Sequence, residues 1–354
     1  MSKRIAFCAD GTWDSSASNT NVYKIYNAIS SIPGEQLPRY DNGVGSDGTE
    51  IEKLLGGAMG QGLYQKIKDG YTRIADVYEA GDDIYIFGFS RGAYTARSLA
   101  GMIAVCGLPT EPHDAKFVDT AFNAYRNKGQ RDQLLKSLAS YGLDDAKIKM
   151  VGVWDTVGSL GVPALVGKVD PVQYGFLDTT LHPDVLNAYH ALAIDERRAE
   201  FPATLWTSPP AAGQTLEQVY FCGVHCDVGG GYADDPDTQT ALSDITLSWM
   251  IGKAQAAGLV FDPDVLAKYP CPLDAKYSLD TAHESWSPAW LFPKSRTIAA
   301  YATVANSVRF RCEELSSYRP RNLTLLNGAP GPQYAIANVV EMAEAAKAVT
   351  QSDR

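Results

Sequence analysis

The sequence predicts an α/β fold in which a mostly parallel sheet carries helices on both faces and helical or loop insertions over its active-site edge. Two observations lead to this prediction. Short strand-like runs alternate with amphipathic stretches from the first residues onward, and such alternation is typical of parallel strands joined by crossover helices. Several of these runs end in polar turns that contain glycine, as strands do at the sheet edge where ligands bind.

Hydrophobic spacing and turn residues locate the elements of the first hundred residues. Short runs bounded by turns predict strands at residues 5–9, 36–40 and 84–89. Apolar residues spaced three or four positions apart predict helices that begin near residues 21 and 59. A third helix is predicted from residue 93 to residue 106, directly after the third strand.

The remaining sequence predicts two more core strands and several helices. The strands lie at residues 147–154 and 218–224, and the helices at residues 189–198, 242–257 and 335–349. Residues 108–145 and 160–215 are predicted to be insertions, and residues 261–354 a loop-rich C-terminal part. Because no repeat or long linker divides the chain, residues 1–354 are predicted to form a single domain.

Composition excludes some classes of partner. The 354 residues carry a net charge of −10 with a pI near 5.0, so a nucleic acid would be repelled. The first strand ends at Asp10, too early for a signal-peptide core or a membrane span. The chain is therefore expected to be made in the cytoplasm with no signal peptide and no transmembrane segment, and any export would use a signal-independent secretion system.

No metal or cofactor is predicted. The six cysteines have no CxxC spacing, and several lie inside apolar runs, as buried reduced thiols do. Cys222 and Cys226 are the nearest pair, but no second ligand pair accompanies them.

The central motif is the pentapeptide Gly88–Gly92, which fits the pattern GxSxG with Ser90 at its centre. A strand precedes it and a helix follows it, which is the context of a nucleophile elbow. In such an elbow the turn is so tight that both flanking positions are glycine. The alternative is an ordinary strand-to-helix turn with an N-capping serine, which accounts for Ser90 but not for Gly92.

Three predicted core strands end in chemically complementary residues, Ser90, Asp155 and His225. The carboxyl ends of parallel strands lie along one edge of a sheet, so these side chains are expected to meet there. The order serine, acid, histidine is that of α/β-hydrolases. Asp227 is a competing acid, although its position favours bracing the glycine turn. The other histidines lack this strand-end context: His113, His182, His190 and His283.

An acyl-transfer site also needs donors for an oxyanion. The backbone N–H of Arg91 follows the serine, and Gly11 or Thr12 in the loop after the first strand is the predicted second donor. The same loop suggests a phosphatase of the haloacid-dehalogenase type. That chemistry needs a second aspartate two residues before Asp10, where this chain has Cys8.

Five sequence blocks together resemble the DUF2235 family, the α/β-hydrolase catalytic domain found in type VI secretion phospholipase effectors of the Tle1 kind. The blocks are Asp10–Trp13, Gly88–Ala93, Val153–Gly158, Ala191–Arg197 and Gly223–Tyr232. The resemblance implies Ser90 as nucleophile, Asp155 as acid and His225 as base. The sequence departs from the family pattern at Cys226, where related sequences tend to have serine. The chain is also shorter than the long effectors, which leaves little room for membrane-anchoring modules.

The predicted function is hydrolysis of carboxylic esters through an acyl-enzyme, with a phospholipid or another lipid ester as substrate. One alternative is a soluble esterase or thioesterase of small substrates, and another is a non-catalytic binding module on the same fold. An effector would have a delivery protein and an immunity protein as partners. The aromatic stretch Trp286–Phe292, with Trp290 and Leu291, either inserts into lipid or packs as core or lid.

Overall fold

The computed structural model describes residues 2–11, 18–43, 59–158, 179–290 and 292–342. In these residues one sheet of eight strands dominates, and each neighbouring pair of strands is parallel. The predicted α/β fold is therefore confirmed. The strands are β1 Arg4–Ala9, β2 Gln36–Asp41, β3 Asp83–Phe89, β4 Ile148–Trp154, β5 Asn187–Ala193, β6 Thr215–Phe221, β7 Thr303–Ala305 and β8 Ala335–Ala337.

Helices connect and cover these strands. They are α1 Asn21–Ala28, α2 Met59–Ala75, α3 Arg91–Cys106, α4 Ala115–Arg126, α5 Arg131–Ser137, α6 His225–Gly229, α7 Leu242–Ala256, α8 Pro263–Lys268 and α9 Asn306–Glu314. In the part of the chain that the structure describes, three short strand pairs lie outside the main sheet: Leu108–Pro109 with Leu143–Asp144, Leu273–Asp274 with Val340–Glu341, and Leu325–Leu326 with Ala329–Pro330.

The sheet separates two hydrophobic cores. Successive side chains of a strand point to opposite faces, so Ala6 and Cys8 of β1 pack on the side of α1 and α7. Ile5 and Phe7 pack on the other side, against α2, α3 and α4. Burial on both faces explains why the central strands read as continuous apolar runs rather than as alternating ones.

The strand order β2-β1-β3-β4-β5-β6-β7-β8 changes direction at β1. The connection through α1 leads from β1 to one side, and the connection through α2 returns to the other side at β3. In open parallel sheets the crevice at such a switch point is the usual place for a ligand. Ser90 follows β3 at this crevice, and Asp10 follows β1.

The helix predicted at residues 189–198 is wrong. Residues 187–193 form β5, which lies between β4 and β6 in the middle of the sheet. A short apolar run without alternation fits a buried strand and a buried helix equally well, and tertiary pairing decided between them. The stretch 160–215, predicted to be an insertion, therefore contains a central strand.

The alanine-rich helix predicted at residues 335–349 is also wrong over its described part. Residues 335–337 form edge strand β8, which pairs with β7, and residues 340–341 pair with residues 273–274. Alanine favours helices only weakly, and pairing with the sheet overrode that preference. Residues 343–349 lie outside the described residues, as do residues 44–48 of the predicted loop at 42–48.

Among the described residues, no helix is long and apolar enough to cross a membrane. All six cysteines are free thiols, and Cys8, Cys106, Cys222 and Cys312 are buried. This agrees with the interpretation of several cysteines as buried reduced thiols.

Candidate active site

Ser90 occupies a strained turn between β3 and α3. Its φ of 57° and ψ of −120° lie outside the regions that non-glycine residues ordinarily adopt. Such a conformation costs on the order of 1–3 kcal/mol and persists only where the surrounding fold enforces it. Here β3, α3 and β4 enforce it, since the Ser90 N–H donates a 3.1 Å hydrogen bond to the Trp154 carbonyl.

The flanking glycines make this turn possible. A Cβ atom on Gly92 would lie 2.2 Å from the Ala9 carbonyl oxygen, and one on Gly88 would lie 2.4 Å from the Gly92 oxygen. Side chains do not tolerate such distances, so α3 can approach β1 and β3 this closely only with glycine at both positions. This is the close packing that the GxSxG spacing predicted.

Asp155 and His225 form a buried pair at the same edge. The Nδ1 atom of His225 lies 2.6 Å from Oδ2 of Asp155, and their side chains are 5% and 0% exposed. An ionised Asp155 can only accept, so Nδ1 donates to it. The other ring nitrogen, Nε2, then carries the lone pair of the neutral imidazole, as a general base requires.

Asp155 has two further partners. The guanidinium of Arg296 donates from Nη1 to Oδ1 at 2.6 Å and from Nη2 to Oδ2 at 2.8 Å, and the Ala193 N–H donates to Oδ1 at 2.9 Å. Burial alone would raise the pKa of Asp155. The charge of Arg296 and the hydrogen bonds from Arg296 and His225 outweigh burial and hold that pKa well below its usual range.

Burial also lowers the pKa of His225 from 6.5, and the opposing effect of Asp155 restores only part of it. The imidazole of His225 is therefore neutral at pH 7. A neutral, oriented imidazole beside an ionised carboxylate is ready to accept a proton.

Ring packing and a glycine place His225 next to the serine turn. The His225 ring lies 4.5 Å from the Phe89 ring, centroid to centroid. The Phe201 ring also packs against the His225 ring in an edge arrangement, with centroids 5.2 Å apart. His225 begins the short helix α6, which also contains Gly229. A Cβ atom on Gly229 would lie 2.0 Å from the Phe89 ring, so α6 approaches the elbow closely only because glycine is present.

Glu196 is a buried carboxylate that braces the backbone of His225. Its Oε2 accepts the His225 N–H at 3.3 Å, and its two oxygens accept Nε and Nη2 of Arg198, each at 2.9 Å. The Ser285 hydroxyl bonds to both oxygens at 2.9 Å. The Arg198 guanidinium lies 3.7 Å from the Phe201 ring centroid, so this network also holds the aromatic neighbour of His225.

Asp227 does not contact the His225 ring in the structure. Its Oδ2 accepts the Val224 N–H at 3.0 Å, which is the turn-bracing role that the sequence favoured. Its Oδ1 lies 2.6 Å from Nδ1 of His283, whose ring stacks on Tyr232. No motif in the sequence pairs His283, in a polar loop, with Asp227.

His190 lies on strand β5 rather than on the predicted helix, but its predicted packing role holds. It is fully buried, and its Nε2 accepts the Thr156 N–H at 3.1 Å, directly after Asp155. Burial and the charge of Arg97 lower the pKa of His190 to about 3. A ring that stays neutral supports the turn that carries Asp155.

The predicted oxyanion donors differ in their surroundings. Arg91 is the first residue of α3 and directly follows Ser90. The Gly11 N–H donates to Oδ1 of Asp10 at 2.8 Å. Thr12 lies outside the described residues. Gly11 is therefore engaged with the buried Asp10 carboxylate in the structure.

Within the described residues, no group of three or more histidine, cysteine or acidic side chains is placed to hold a metal ion.

The residues of the predicted aromatic stretch differ in their burial. Trp290 packs edge-on against Phe201 at 5.4 Å and Trp286 is half-buried, whereas Phe292 is 81% exposed. Leu291 lies outside the described residues.

Sequence reasoning missed Arg296, Glu196 and Phe201. Glu196 lies in one of the five family-like blocks, which was its only signal. Arg296 and Phe201 lie in irregular loops without a motif, and only the folded chain brings them to Asp155 and His225.

The chain is thus an α/β protein with a strained serine turn and a buried histidine–aspartate pair at the carboxyl edge of a parallel sheet. The family model described as "T6SS, Phospholipase effector Tle1-like, catalytic domain" matches residues 3–253. The chain belongs to this family, and the resemblance seen in the sequence blocks is confirmed. Membership supports phospholipase or esterase chemistry in general.

One curated protein and one solved structure are similar to parts of this chain. Uncharacterized protein YEL023C of Saccharomyces cerevisiae is 27% identical over 255 residues, which is 62% of this chain and 35% of the yeast protein. A crystal structure of an uncharacterized protein from Pseudomonas aeruginosa is similar over 76% of this chain and 48% of that chain, with 18% identity and a TM-score of 0.45. The chain thus spans about a third of the yeast protein and about half of the bacterial one.

Proposed function

We propose that this chain is a serine hydrolase that cleaves carboxylic esters of phospholipids through Ser90, His225 and Asp155. The observation that carries the proposal is the strained φ of Ser90 at an elbow whose preceding residue, Phe89, packs on the His225 ring. Membership in a phospholipase effector family supports the choice of a lipid ester as substrate.

In the proposed reaction, Oγ of Ser90 attacks the acyl carbonyl carbon while Nε2 of His225 takes its proton. Asp155, held by Arg296, stabilises the imidazolium that forms. The imidazolium then protonates the leaving alcohol, and the acyl group stays on Ser90. Water then attacks the acyl carbon and gives a proton to Nε2 of His225. The bond between the acyl carbon and Oγ of Ser90 breaks, His225 returns the proton to Oγ, and the carboxylic acid is released.

The tetrahedral intermediate needs donors aimed at its oxyanion. The Arg91 N–H is the first proposed donor, because it follows the nucleophile at the start of α3. The second would come from the loop after β1. Since the Gly11 N–H donates to Asp10, we favour Thr12 for this role.

Docking on lipid would depend on apolar contacts, because the chain carries a net charge of −10 and anionic lipid surfaces attract basic segments. The exposed ring of Phe292 is suited to such a contact.

Membership in an effector family also supports signal-independent export, with a delivery protein and an immunity protein as partners. Genes adjacent to the one for this chain would test those partners.

The proposed chemistry is tested by labelling the protein with a fluorophosphonate probe and by mass spectrometry of products from a mixed panel of phospholipid vesicles and short-chain esters. We expect labelling at Ser90 and release of fatty acid from phospholipid. The Ser90→Ala variant should lose both, and it serves as the matched control because it removes only one oxygen.

Each outcome distinguishes a rival. Activity on short-chain esters without activity on vesicles would indicate a soluble esterase or thioesterase. A folded wild-type protein with neither labelling nor turnover would indicate a binding module. Full turnover by Ser90→Ala would reject Ser90 as the nucleophile.

A further inference from the structure

Arg296 makes the most extensive set of contacts with the candidate acid, and it lies beyond residue 253, where the family match ends. Its guanidinium is 6% exposed and forms a fork-to-fork pair with Asp155. Paired hydrogen bonds of this kind fix the plane of a carboxylate as well as neutralise it. A residue of the C-terminal part therefore controls the orientation of Asp155.

The guanidinium itself is held on other sides. Its Nη1 donates to the Ala193 carbonyl at 3.0 Å, and its Nη2 and Nε donate to the Phe201 carbonyl at 2.8 Å and 3.2 Å. Ala193 ends β5 and Phe201 contacts the His225 ring. The position of Arg296 is thus set by the same elements that surround the histidine.

The segment 283–296 reaches the site at three points. His283 contacts Asp227, Ser285 contacts Glu196, and Arg296 contacts Asp155. In addition, the Lys294 N–H donates to the Arg197 carbonyl at 2.8 Å. Because the anchors at His283, Ser285 and Lys294 do not involve the Arg296 side chain, its replacement leaves the segment attached.

Resting on the proposed function, we propose that Arg296 is a positioning residue for ester hydrolysis: its guanidinium orients the Asp155 carboxylate against His225 and shares its charge. It acts through Asp155 and touches no reacting atom. The segment 283–296 therefore contributes to the proposed active site through Arg296.

The shared charge has a measurable consequence. The charged groups close to His225 are Asp155, Arg296, Glu196 and Arg198, and Tyr220 lies near Asp155. Removing the positive charge of Arg296 raises the proton affinity of the coupled histidine–aspartate pair, whichever of the two carries the proton. The acid limb of kcat/KM then moves to higher pH, and the charge-preserving variant Arg296→Lys separates this effect from a loss of packing.

The test compares Arg296→Gln and Arg296→Lys with Arg311→Gln and Arg311→Lys. Arg311 is also buried in the C-terminal part, but it donates to the Ser278 and Asp280 carbonyls instead. For Arg296→Gln we expect kcat/KM to fall about 10- to 100-fold, as when other groups that orient a reactive side chain are removed. The acid limb should move upward, and Arg296→Lys should move it less. Folded Arg311 variants should stay within about threefold of wild type with the limb unmoved.

Chemical rescue provides a second measurement. A cavity of about 260 Å³ is lined in part by Arg296, Phe201 and Tyr220. In Arg296→Ala, millimolar guanidinium ion should enter this space and restore at least part of the lost kcat. Methylammonium at the same concentration is the control, because it cannot form the paired hydrogen bonds.

The outcomes separate this proposal from the proposed function. If Ser90→Ala abolishes turnover but folded Arg296→Gln keeps wild-type kcat/KM, or loses activity with an unmoved limb and no guanidinium rescue, Arg296 is not a positioning residue. The same holds if every Arg296 variant fails to fold while the Arg311 variants fold. If Ser90→Ala remains active, the proposed function itself fails.

Discussion

Two histidine–aspartate pairs lie at the carboxyl edge of the sheet, and each has an Nδ1 to Oδ distance of 2.6 Å. His225 and Asp227 even share helix α6. Yet the side chain of His225 is 5% exposed, whereas that of His283 is 34% exposed. The pair of His225 packs on Phe89 and binds Arg296, while His283 stacks on Tyr232.

A short histidine–aspartate contact does not by itself define a catalytic site. Burial strengthens electrostatic interactions and fixes the ring, and the ring of His225 packs on Phe89, which directly precedes the strained Ser90. The pair of Asp227 instead ties the 283–285 loop to α6. Four predictions test whether the two pairs differ as this comparison implies.

The largest difference is expected between His225→Ala and His283→Ala. Loss of a catalytic histidine typically lowers kcat by roughly 10⁴- to 10⁶-fold, and we expect this for His225. His283→Ala should keep turnover within about threefold, since its ring serves the loop. Ester hydrolysis rates of both purified variants provide the measurement. Equal losses in the two variants would remove the distinction between the pairs.

Substitution of Asp155 should mainly affect catalysis, whereas substitution of Asp227 should mainly affect stability. Asp155→Asn should lower kcat by about 10⁴-fold, because the amide no longer selects the proper imidazole tautomer. Asp227→Asn should mainly lower the free energy of unfolding, by about 1–3 kcal/mol, since it disturbs the acceptor of the Val224 N–H. Turnover and denaturant unfolding, measured on both variants, check this. A catalytic collapse in Asp227→Asn with unchanged stability would contradict it.

The close approach of α6 to the elbow predicts a stability effect at Gly229. Its Cβ would overlap the Phe89 ring, and forced repacking of this kind costs about 1–3 kcal/mol. Gly229→Ala should therefore lower both the free energy of unfolding and kcat, because α6 carries His225. Gly129→Ala is the control, as its Cβ would meet nothing within 4 Å. Wild-type behaviour of Gly229→Ala would mean that the elbow tolerates a displaced α6.

The smallest effect concerns pH. Burial lowers the pKa of His225 below 6.5, so the neutral base persists below the pH at which an exposed histidine is half protonated. The acid limb of kcat/KM should fall below pH 6.5, with a loss of about tenfold per pH unit beneath it. A pH profile from 4 to 9 provides the measurement. A limb above pH 6.5 would show that Asp155 outweighs burial.

Much of the architecture was predictable because local signals agree with the global fold. The runs at 5–9 and 84–89 become β1 and β3, and the predicted helix at 242–257 becomes α7. The strand of residues 187–193 was not predictable, since a run buried on both faces carries no period of two. The edge strand of residues 335–337 was missed because weak helix propensity yielded to pairing with β7.

The sequence alone predicted the elbow at Gly88–Gly92 and the three candidate side chains Ser90, Asp155 and His225. Glycines at 88 and 92 and the polar residues at strand ends are local features, and parallel strands bring such ends to one edge. Only the tertiary structure decided which acid serves which histidine, that Arg296 binds Asp155, and that Gly11 is engaged by Asp10. Those contacts join residues far apart in the chain, and their choice depends on packing and burial that no short segment encodes.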